Sequence, residues 1–104
     1  YIFDIDGTLC TNTDGKYSEA LPIPHRINLV NKLYSEGHRV LLLTARGMGR
    51  SSNNAEMAKE NWEDFTIQQL AIWGVKYHQL FMGKPAGDYY VDDKGINDED
   101  FFRN

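Results

Sequence analysis

The sequence predicts an α/β protein with a mainly parallel sheet. Short apolar runs of strand length alternate along the chain with longer segments that carry apolar residues at helical spacing. Alternation of this kind is typical of strand-helix-strand units, in which a helix connects two parallel strands. Polar side chains suited to catalysis follow each strand-like run. This placement is also expected of a parallel sheet, because ligands bind beyond the carboxyl ends of its strands.

The boundaries of the elements follow from apolar periodicity and from Gly and Pro positions. Pro22 and Pro24 mark the start of the first helix, and Gly37 marks its end. Gly74 ends the second helix, and an acidic tail from residue 95 leads to two Phe residues that we expect to dock on the sheet. The predicted elements are strand 1 (1–5), a polar loop or small hairpin (6–19), helix 1 (25–36), strand 2 (39–43), a mobile loop with room for one helical turn (47–61), helix 2 (62–73), strand 3 (79–82) and strand 4 (88–91).

Composition indicates one ordinary domain, residues 1–104, with 41% hydrophobic and 25% charged residues. The net charge of -4 argues against a nucleic-acid polymer as partner, whereas a small phosphorylated metabolite needs only local positive charge. The single cysteine, Cys10, excludes an intrachain disulfide and favours a reducing, cytoplasmic location. No stretch is apolar for long enough to cross a membrane. Because the chain begins with Tyr1 rather than Met, we expect that its natural start is missing.

The candidate site residues share one property, which is that each follows a predicted strand. They are Asp4, Asp6 and Gly7 after strand 1, Thr44, Ala45 and Arg46 after strand 2, Lys84 after strand 3, and Asp92 and Asp93 after strand 4. Each group alone has an ordinary interpretation, such as an Asp-Gly turn or a solvated acidic pair. Their occurrence at all of the strand ends favours a functional site, and converging carboxylates favour Mg²⁺.

In this order the motifs resemble those of the haloacid dehalogenase superfamily: Asp-x-Asp-x-Thr, a strand-end Thr or Ser, a Lys and an acidic pair. The match spans residues 3–93. It implies a three-layer, Rossmann-like fold. Members usually carry an inserted cap domain, and neither gap between motifs is long enough for one here. The chain therefore looks like a capless member, similar to the octulosonate 8-phosphate phosphatases and to phosphatases of capsule biosynthesis.

The resemblance also implies roles for the site residues. Asp4 would attack phosphorus to give an aspartyl-phosphate, and Asp6 would act first as general acid and then as base. Asp4, Asp92 and the backbone carbonyl of Asp6 would bind Mg²⁺, with Asp93 binding directly or through water. With Asp6 protonated, the other three carboxylates would be balanced by Lys84 and Mg²⁺.

On the substrate side, the resemblance implies that the phosphate is held after strand 2. The Thr44 hydroxyl and the N–H groups that follow it would contact phosphate oxygens, while Lys84 would contribute a point charge. Arg46 can bind phosphate bidentately, although it lies outside the core motifs. Gly7 and Ala45 are also assigned to the substrate site.

The expected function is a Mg²⁺-dependent phosphatase of a small phosphate monoester, with a sugar phosphate of surface-polysaccharide synthesis as the leading substrate class. A nucleotide or polynucleotide-end phosphatase is the alternative within the fold, because Thr-Ala-Arg also occurs in such enzymes. From another class, a receiver-like phosphorylation switch uses similar residues but in a different order, and an inactive binding module remains a third interpretation. A homo-oligomer is compatible with the resemblance. The substrate, the pathway and the oligomeric state are not encoded in any readable motif.

Overall fold

The computed structural model describes residues 1–103 and contains a three-stranded parallel sheet. Its strands are β1 (Ile2–Phe3), β2 (Leu41–Thr44) and β3 (Gln79–Met82), arranged in the order β1-β2-β3. The helices are α1 (Pro24–Ser35), α2 (Ala55–Ile72) and the short α3 (Asp98–Phe101), with a 3-10 turn at Tyr17–Glu19. The predicted α/β class with a parallel sheet is confirmed.

Strand β1 is shorter than the predicted strand 1 because the chain turns directly after it. The backbone carbonyl of Ile5 accepts hydrogen bonds from the N–H groups of Thr8 and Leu9, at 3.1 and 2.8 Å. Ile5 itself is fully buried, so the apolar run that predicted a longer strand continues into the core as a tight turn. This turn presents Asp4 and Asp6 at the carboxyl end of β1.

Helix α2 begins earlier than predicted. Residues 47–61 were expected to form a mobile loop, but the helix starts at Ala55, and the side chain of Asn54 caps it by accepting a hydrogen bond from the N–H of Met57 at 3.1 Å. The segment from Ala55 consists mainly of strong helix formers, and a capped first turn satisfies a backbone donor that would otherwise lack a partner. The loop between β2 and α2 is therefore limited to residues 45–54.

The hydrophobic core lies on one face of the sheet. Phe3 and Leu42 point into it and meet Ile27 and Val30 of α1 and Leu70 of α2. The alternate residues of the same strands lie on the opposite face, where Ile2 and Phe81 are 65% and 40% exposed. Residues 1–103 thus form a sheet with its helical layer on one face, rather than the expected three layers. Among the described helices, none is long and apolar enough to span a membrane.

Predicted strand 4 does not form. Residues 85–97 are exposed throughout and adopt no strand, and Tyr89 and Val91 are 90% and 98% exposed. A strand needs a hydrogen-bonding neighbour, and within the described chain this segment has none. The tail that follows does dock as predicted, since the rings of Phe101 and Phe102 lie 5.5 and 6.0 Å from that of Phe3.

Close contact between the loop of residues 45–54 and α2 predicts a loss of stability for Gly47→Ala. Gly47 has a positive φ of 78°, and an added Cβ would lie 2.5 Å from the Trp62 ring and 3.2 Å from the backbone of Ala58. We expect the free energy of unfolding to fall by about 2 kcal/mol in urea denaturation. Gly49→Ala is the matched control, because its Cβ would meet no atom within 4 Å. Equal effects of the two substitutions would contradict the proposed contact.

Candidate active site

A cleft of about 200 Å³ lies at the carboxyl end of β1 and β2. Two acids, Asp4 and Asp6, line it from the turn after β1, and residues 45 and 46 line it from the end of β2. The remaining walls come from the segment between β1 and α1. The complete lining is Asp4, Asp6, Asn12, Gly15, Tyr17, Ala45 and Arg46. Of the residues predicted at the first two strand ends, Asp4, Asp6, Ala45 and Arg46 are therefore brought together in the cleft.

Asp4 is the carboxylate with the fewest partners in the cleft. Its side chain is 35% exposed, and one oxygen lies 3.8 Å from the ammonium Nζ of Lys84. Burial raises the pKa of Asp4 above its ordinary value, an effect that the nearby Lys84 charge and the Ile5 N–H only partly offset. Asp4 and Lys84 thus meet as predicted, and Asp4 is positioned to receive an electrophile from the cleft.

Asp6 has a different environment, because both of its oxygens are bound by Arg46. The guanidinium donates from Nε to one oxygen at 2.9 Å and from Nη2 to the other at 3.0 Å. The side chain of Arg46 is fully buried, and that of Asp6 is 19% exposed. A bidentate pair of this kind uses the ionised carboxylate as acceptor. In this conformation both oxygens of Asp6 therefore accept hydrogen bonds from Arg46, a pairing that the sequence did not predict.

Arg46 joins three other parts of the chain. Its Nη1 donates to the hydroxyl of Thr66 on α2 at 3.3 Å, and its guanidinium lies 4.8 Å from the ring centre of Tyr17. These contacts commit the guanidinium to protein atoms, whereas the sequence predicted that it would bind phosphate. Tyr17 and Thr66 were not predicted as site residues. No signal marks them in the sequence, because one lies in an irregular polar loop and the other on a helix of weak periodicity.

Two other predicted substrate contacts, Thr44 and Gly7, are already engaged within the protein. Thr44 is buried, and its hydroxyl accepts a hydrogen bond from the N–H of Arg46 at 3.1 Å. The N–H of Gly7 donates to the carbonyl of Cys10 at 2.9 Å. Ala45, by contrast, lines the cleft. Thr44 therefore shapes the turn after β2 in this conformation and does not face the cleft.

The segment formed by residues 11–20, here called the flap, covers the cleft and is held by aromatic and cationic contacts. The hydroxyl of Tyr17 accepts a hydrogen bond from the N–H of Gly47 at 2.9 Å. The Tyr17 ring meets Trp62 of α2 edge-on, with ring centres 4.7 Å apart. Arg50 lies over both rings and donates to the carbonyl of Gly15. The flap is thereby fastened to the loop before α2.

A second ion pair steadies the turn that carries the acids. Arg26 of α1 donates from Nη1 to Asp98 at 2.6 Å and to the backbone carbonyl of Thr8 at 3.2 Å. The guanidinium also lies 4.8 Å from the ring centre of Phe102. The first turn of α3 and the turn after β1 are thus held by one side chain.

The expected Mg²⁺ ligands do not come together within one chain. Asp92 and Asp93 are exposed beyond β3, and Asp92 accepts a hydrogen bond from the N–H of Lys94 at 2.9 Å, which lowers the pKa of Asp92. Within residues 1–103, no three His, Cys, Asp or Glu side chains are grouped so as to hold a metal. Asp4 suits Mg²⁺, which binds through one or two carboxylates and keeps several waters. Because the acidic pair lies elsewhere, the single chain brings together only part of the expected Mg²⁺ site.

Comparisons with known proteins concern the fold. A crystal structure of an MCSG target from Vibrio cholerae matches with a TM-score of 0.90 and 24% sequence identity, and the match covers 100% of this chain and 87% of that chain. No family model and no curated protein matches the sequence. The chain is therefore similar to this solved structure in fold, and the arguments for function come from the site itself.

The buried ion pair between Arg46 and Asp6 predicts a large loss of stability for Arg46→Met. Removing the guanidinium leaves the Asp6 carboxylate partly buried without a partner, so we expect the free energy of unfolding to fall by roughly 3 kcal/mol. Arg103→Met is the matched control, because Arg103 pairs with Asp100 on the surface at 3.0 Å, with side chains 73% and 62% exposed. Its effect should stay below about 0.5 kcal/mol. Equal losses of unfolding free energy in urea denaturation would show that the buried pair stabilises the protein no more than the surface pair does.

The environment of Cys10 predicts an inert thiol. Burial, and next the charge of Asp6, raise the pKa of Cys10 to about 12. The folded protein should therefore resist a thiol reagent at pH 8, because the thiolate is the reactive form, and should react once it is unfolded in denaturant. Ser18→Cys introduces an exposed thiol and serves as control. Rapid labelling of Cys10 at the rate of the introduced cysteine would contradict this prediction.

Proposed function

We propose that this chain is a phosphatase that hydrolyses a small phosphate monoester through Asp4. The observation that supports this best is the placement of Asp4, which is partly buried at the cleft, short of partners, and 3.8 Å from Lys84. A carboxylate can act as the nucleophile that displaces the leaving oxygen from phosphorus. Lys84 offsets the repulsion between the Asp4 carboxylate and the phosphate dianion.

In the proposed reaction a carboxylate oxygen of Asp4 forms a bond to phosphorus while the bond from phosphorus to the leaving oxygen breaks. The leaving oxygen takes a proton and departs as an alcohol. Water then attacks the aspartyl-phosphate, which releases inorganic phosphate and restores Asp4. This route divides one difficult displacement into two.

Asp6 is the proposed proton donor and acceptor, and its pairing with Arg46 sets a condition on that role. Both oxygens of Asp6 accept hydrogen bonds from the guanidinium. Before it can carry a proton, Asp6 has to give up at least one of these bonds. Arg46 is in this proposal a positioning residue that holds Asp6 beside Asp4, and a shift of its side chain frees Asp6 for proton transfer.

Mg²⁺ is the proposed cofactor, with Asp4 as its carboxylate ligand in the cleft. When bound, such an ion neutralises negative charge on the phosphate and the nucleophile. The backbone carbonyl of Asp6 is the proposed further ligand. Asp92 and Asp93 remain proposed ligands as well, on the condition that they are brought beside Asp4.

The size and borders of the cleft support a small substrate. A volume of about 200 Å³ is below the roughly 300–1,000 Å³ of typical ligand pockets, which favours a small substrate. Asn12, Gly15 and Tyr17 are the flap residues that line the cleft. A sugar phosphate of surface-polysaccharide synthesis, in the cytoplasm, is the proposed substrate class. It rests on the motif resemblance, and a mononucleotide is the competing substrate.

Asp4→Asn tests the mechanism. The substitution keeps the shape of the side chain and removes the nucleophilic oxygen anion, so we expect kcat to fall about a thousandfold or more. Phosphate release should be measured on a panel of sugar phosphates, mononucleotides and an aryl phosphate, with Mg²⁺ and with chelator. Asp64→Asn is the control, because Asp64 is exposed on α2 outside the cleft. Activity that survives in Asp4→Asn would overturn the proposed mechanism.

The same variant separates loss of chemistry from loss of fold. Because burial raises the pKa of Asp4, the folded chain holds this proton more tightly than the unfolded chain does. The stability that Asp4 contributes is therefore fully present below the ordinary pKa of an Asp side chain and is lost as pH rises through the raised pKa of the folded chain. Near pH 7, ionised Asp4 is unfavourable in the folded chain. Asp4→Asn should consequently unfold at a temperature no lower than that of the natural protein. A lower midpoint would mean that inactivity reflects unfolding.

A further inference from the structure

Residues 85–97, here called the arm, form an exposed apolar segment with the sequence features of a strand. Consecutive residues Tyr89, Tyr90 and Val91 are 90%, 55% and 98% exposed. Aromatic and β-branched residues favour strands, and so large an apolar stretch in water indicates a binding partner. Asp92 and Asp93 follow directly, and they are the predicted site acids that lie outside the cleft.

The sheet offers a matching open edge. Among the described strands β1 pairs with β2 alone, so its other side has no strand neighbour. Ile2 on this strand is 65% exposed. The open edge is also continuous with the uncovered face of the sheet, on which Phe81 is 40% exposed. One added strand would pair the edge and extend the sheet.

Contacts at the base of the arm hold it away from its own β1. The arm leaves β3, which is the sheet edge opposite to β1. The N–H of Ala86 donates to the side chain of Asn53 at 3.0 Å, which fastens the arm to the loop before α2. Tyr90 folds back as well, because its hydroxyl donates to the carbonyl of Pro85 at 2.6 Å and its ring lies 4.3 Å from the ammonium of Lys84.

We infer that the arm pairs with the β1 edge of a second copy of this chain. Each copy supplies one arm and one open edge, so a two-fold pair satisfies both at once. In a parallel alignment Tyr90 of one copy faces Ile2 of the other, and Asp92 faces Asp4. The acids of the second copy thereby complete the site that is incomplete within one chain. The interface stands independently of catalysis, whereas this role of the acids rests on the proposed function.

Two variants that each add one cysteine, Ile2→Cys and Tyr90→Cys, test the pairing. Co-expressed and oxidised, they should give a disulfide-linked species of twice the chain mass on a non-reducing gel. The buried native Cys10 does not compete. The double variant carrying both substitutions in one chain is the decisive comparison. A crosslink found only within the double variant, and absent from the mixed single variants, would show that the arm folds onto its own β1 and would overturn the inference.

Molar mass in solution provides a readout that is independent of activity. The natural protein should be a dimer by sedimentation equilibrium, and Val91→Asp should raise the dimer dissociation constant about thirtyfold or more. This variant should stay folded, because Val91 is 98% exposed in the single chain. Ile72→Asp, at an 82% exposed apolar position on α2, is the matched control and should leave the constant unchanged. A monomeric natural protein, or equal effects of the two variants, would overturn the inference.

Catalysis then separates the two proposals. Asp4→Asn and the double variant Asp92→Asn/Asp93→Asn are each inactive alone if the acids of one copy serve the other. Co-expressed, they should regain about a quarter of the natural activity per chain, because only one site in a mixed dimer has every acid. A dimer that forms without phosphatase activity would leave the interface in place and remove the proposed function. Activity with no recovery in the mixture would overturn the shared site.

Discussion

The buried ion pair between Arg46 and Asp6 is the interaction on which the rest of the site depends. A guanidinium removed from water is costly unless its donors find acceptors. Here the acceptors are Asp6 in the turn after β1 and Thr66 on α2, with Tyr17 of the flap stacked against the same group. One side chain at the end of β2 thus joins the first strand, the second helix and the flap. The turn after β1 cannot move away from the end of β2 without breaking this pair.

The pair also makes the two acids of the cleft unequal. Both oxygens of Asp6 accept hydrogen bonds from Arg46, while Asp4 is a partly exposed carboxylate near a single ammonium. Neighbouring carboxyl groups with different surroundings are suited to different chemical roles. The inequality arises because Asp6 pairs with Arg46 at the end of β2, whereas Asp4 lies near Lys84 after β3. Two acids separated only by Ile5 therefore have distinct environments.

Much of the fold follows from local patterns in the sequence. The α1 helix lies one residue from its predicted position, and β3 has its predicted bounds, because apolar spacing and flanking Gly and Pro are local signals. The start of α2 was missed since Gly, Ser and Asn before it obscured the Asn54 cap. The prediction of strand 4 was wrong for a different reason. Tyr89 and Val91 have strand propensity, but propensity alone does not supply a hydrogen-bonding neighbour. The meeting of Asp4, Asp6 and Lys84 was predictable from strand ends, whereas the burial of Arg46 depends on Tyr17 and Thr66, which lie far from it in sequence.

The way in which the flap is fastened links access to the cleft with local stability. The flap is held to the loop before α2 by the hydrogen bond to the Tyr17 hydroxyl, by edge-on packing of aromatic rings and by the exposed guanidinium of Arg50. All of these contacts lie outside the main core. Such contacts break with a smaller free energy than global unfolding, so segments held in this way open while the sheet stays intact. Backbone amides of the flap should then exchange with solvent faster than those of β2. Access to the cleft therefore depends on this local opening, which the contacts of Arg50 with Tyr17 and Trp62 oppose.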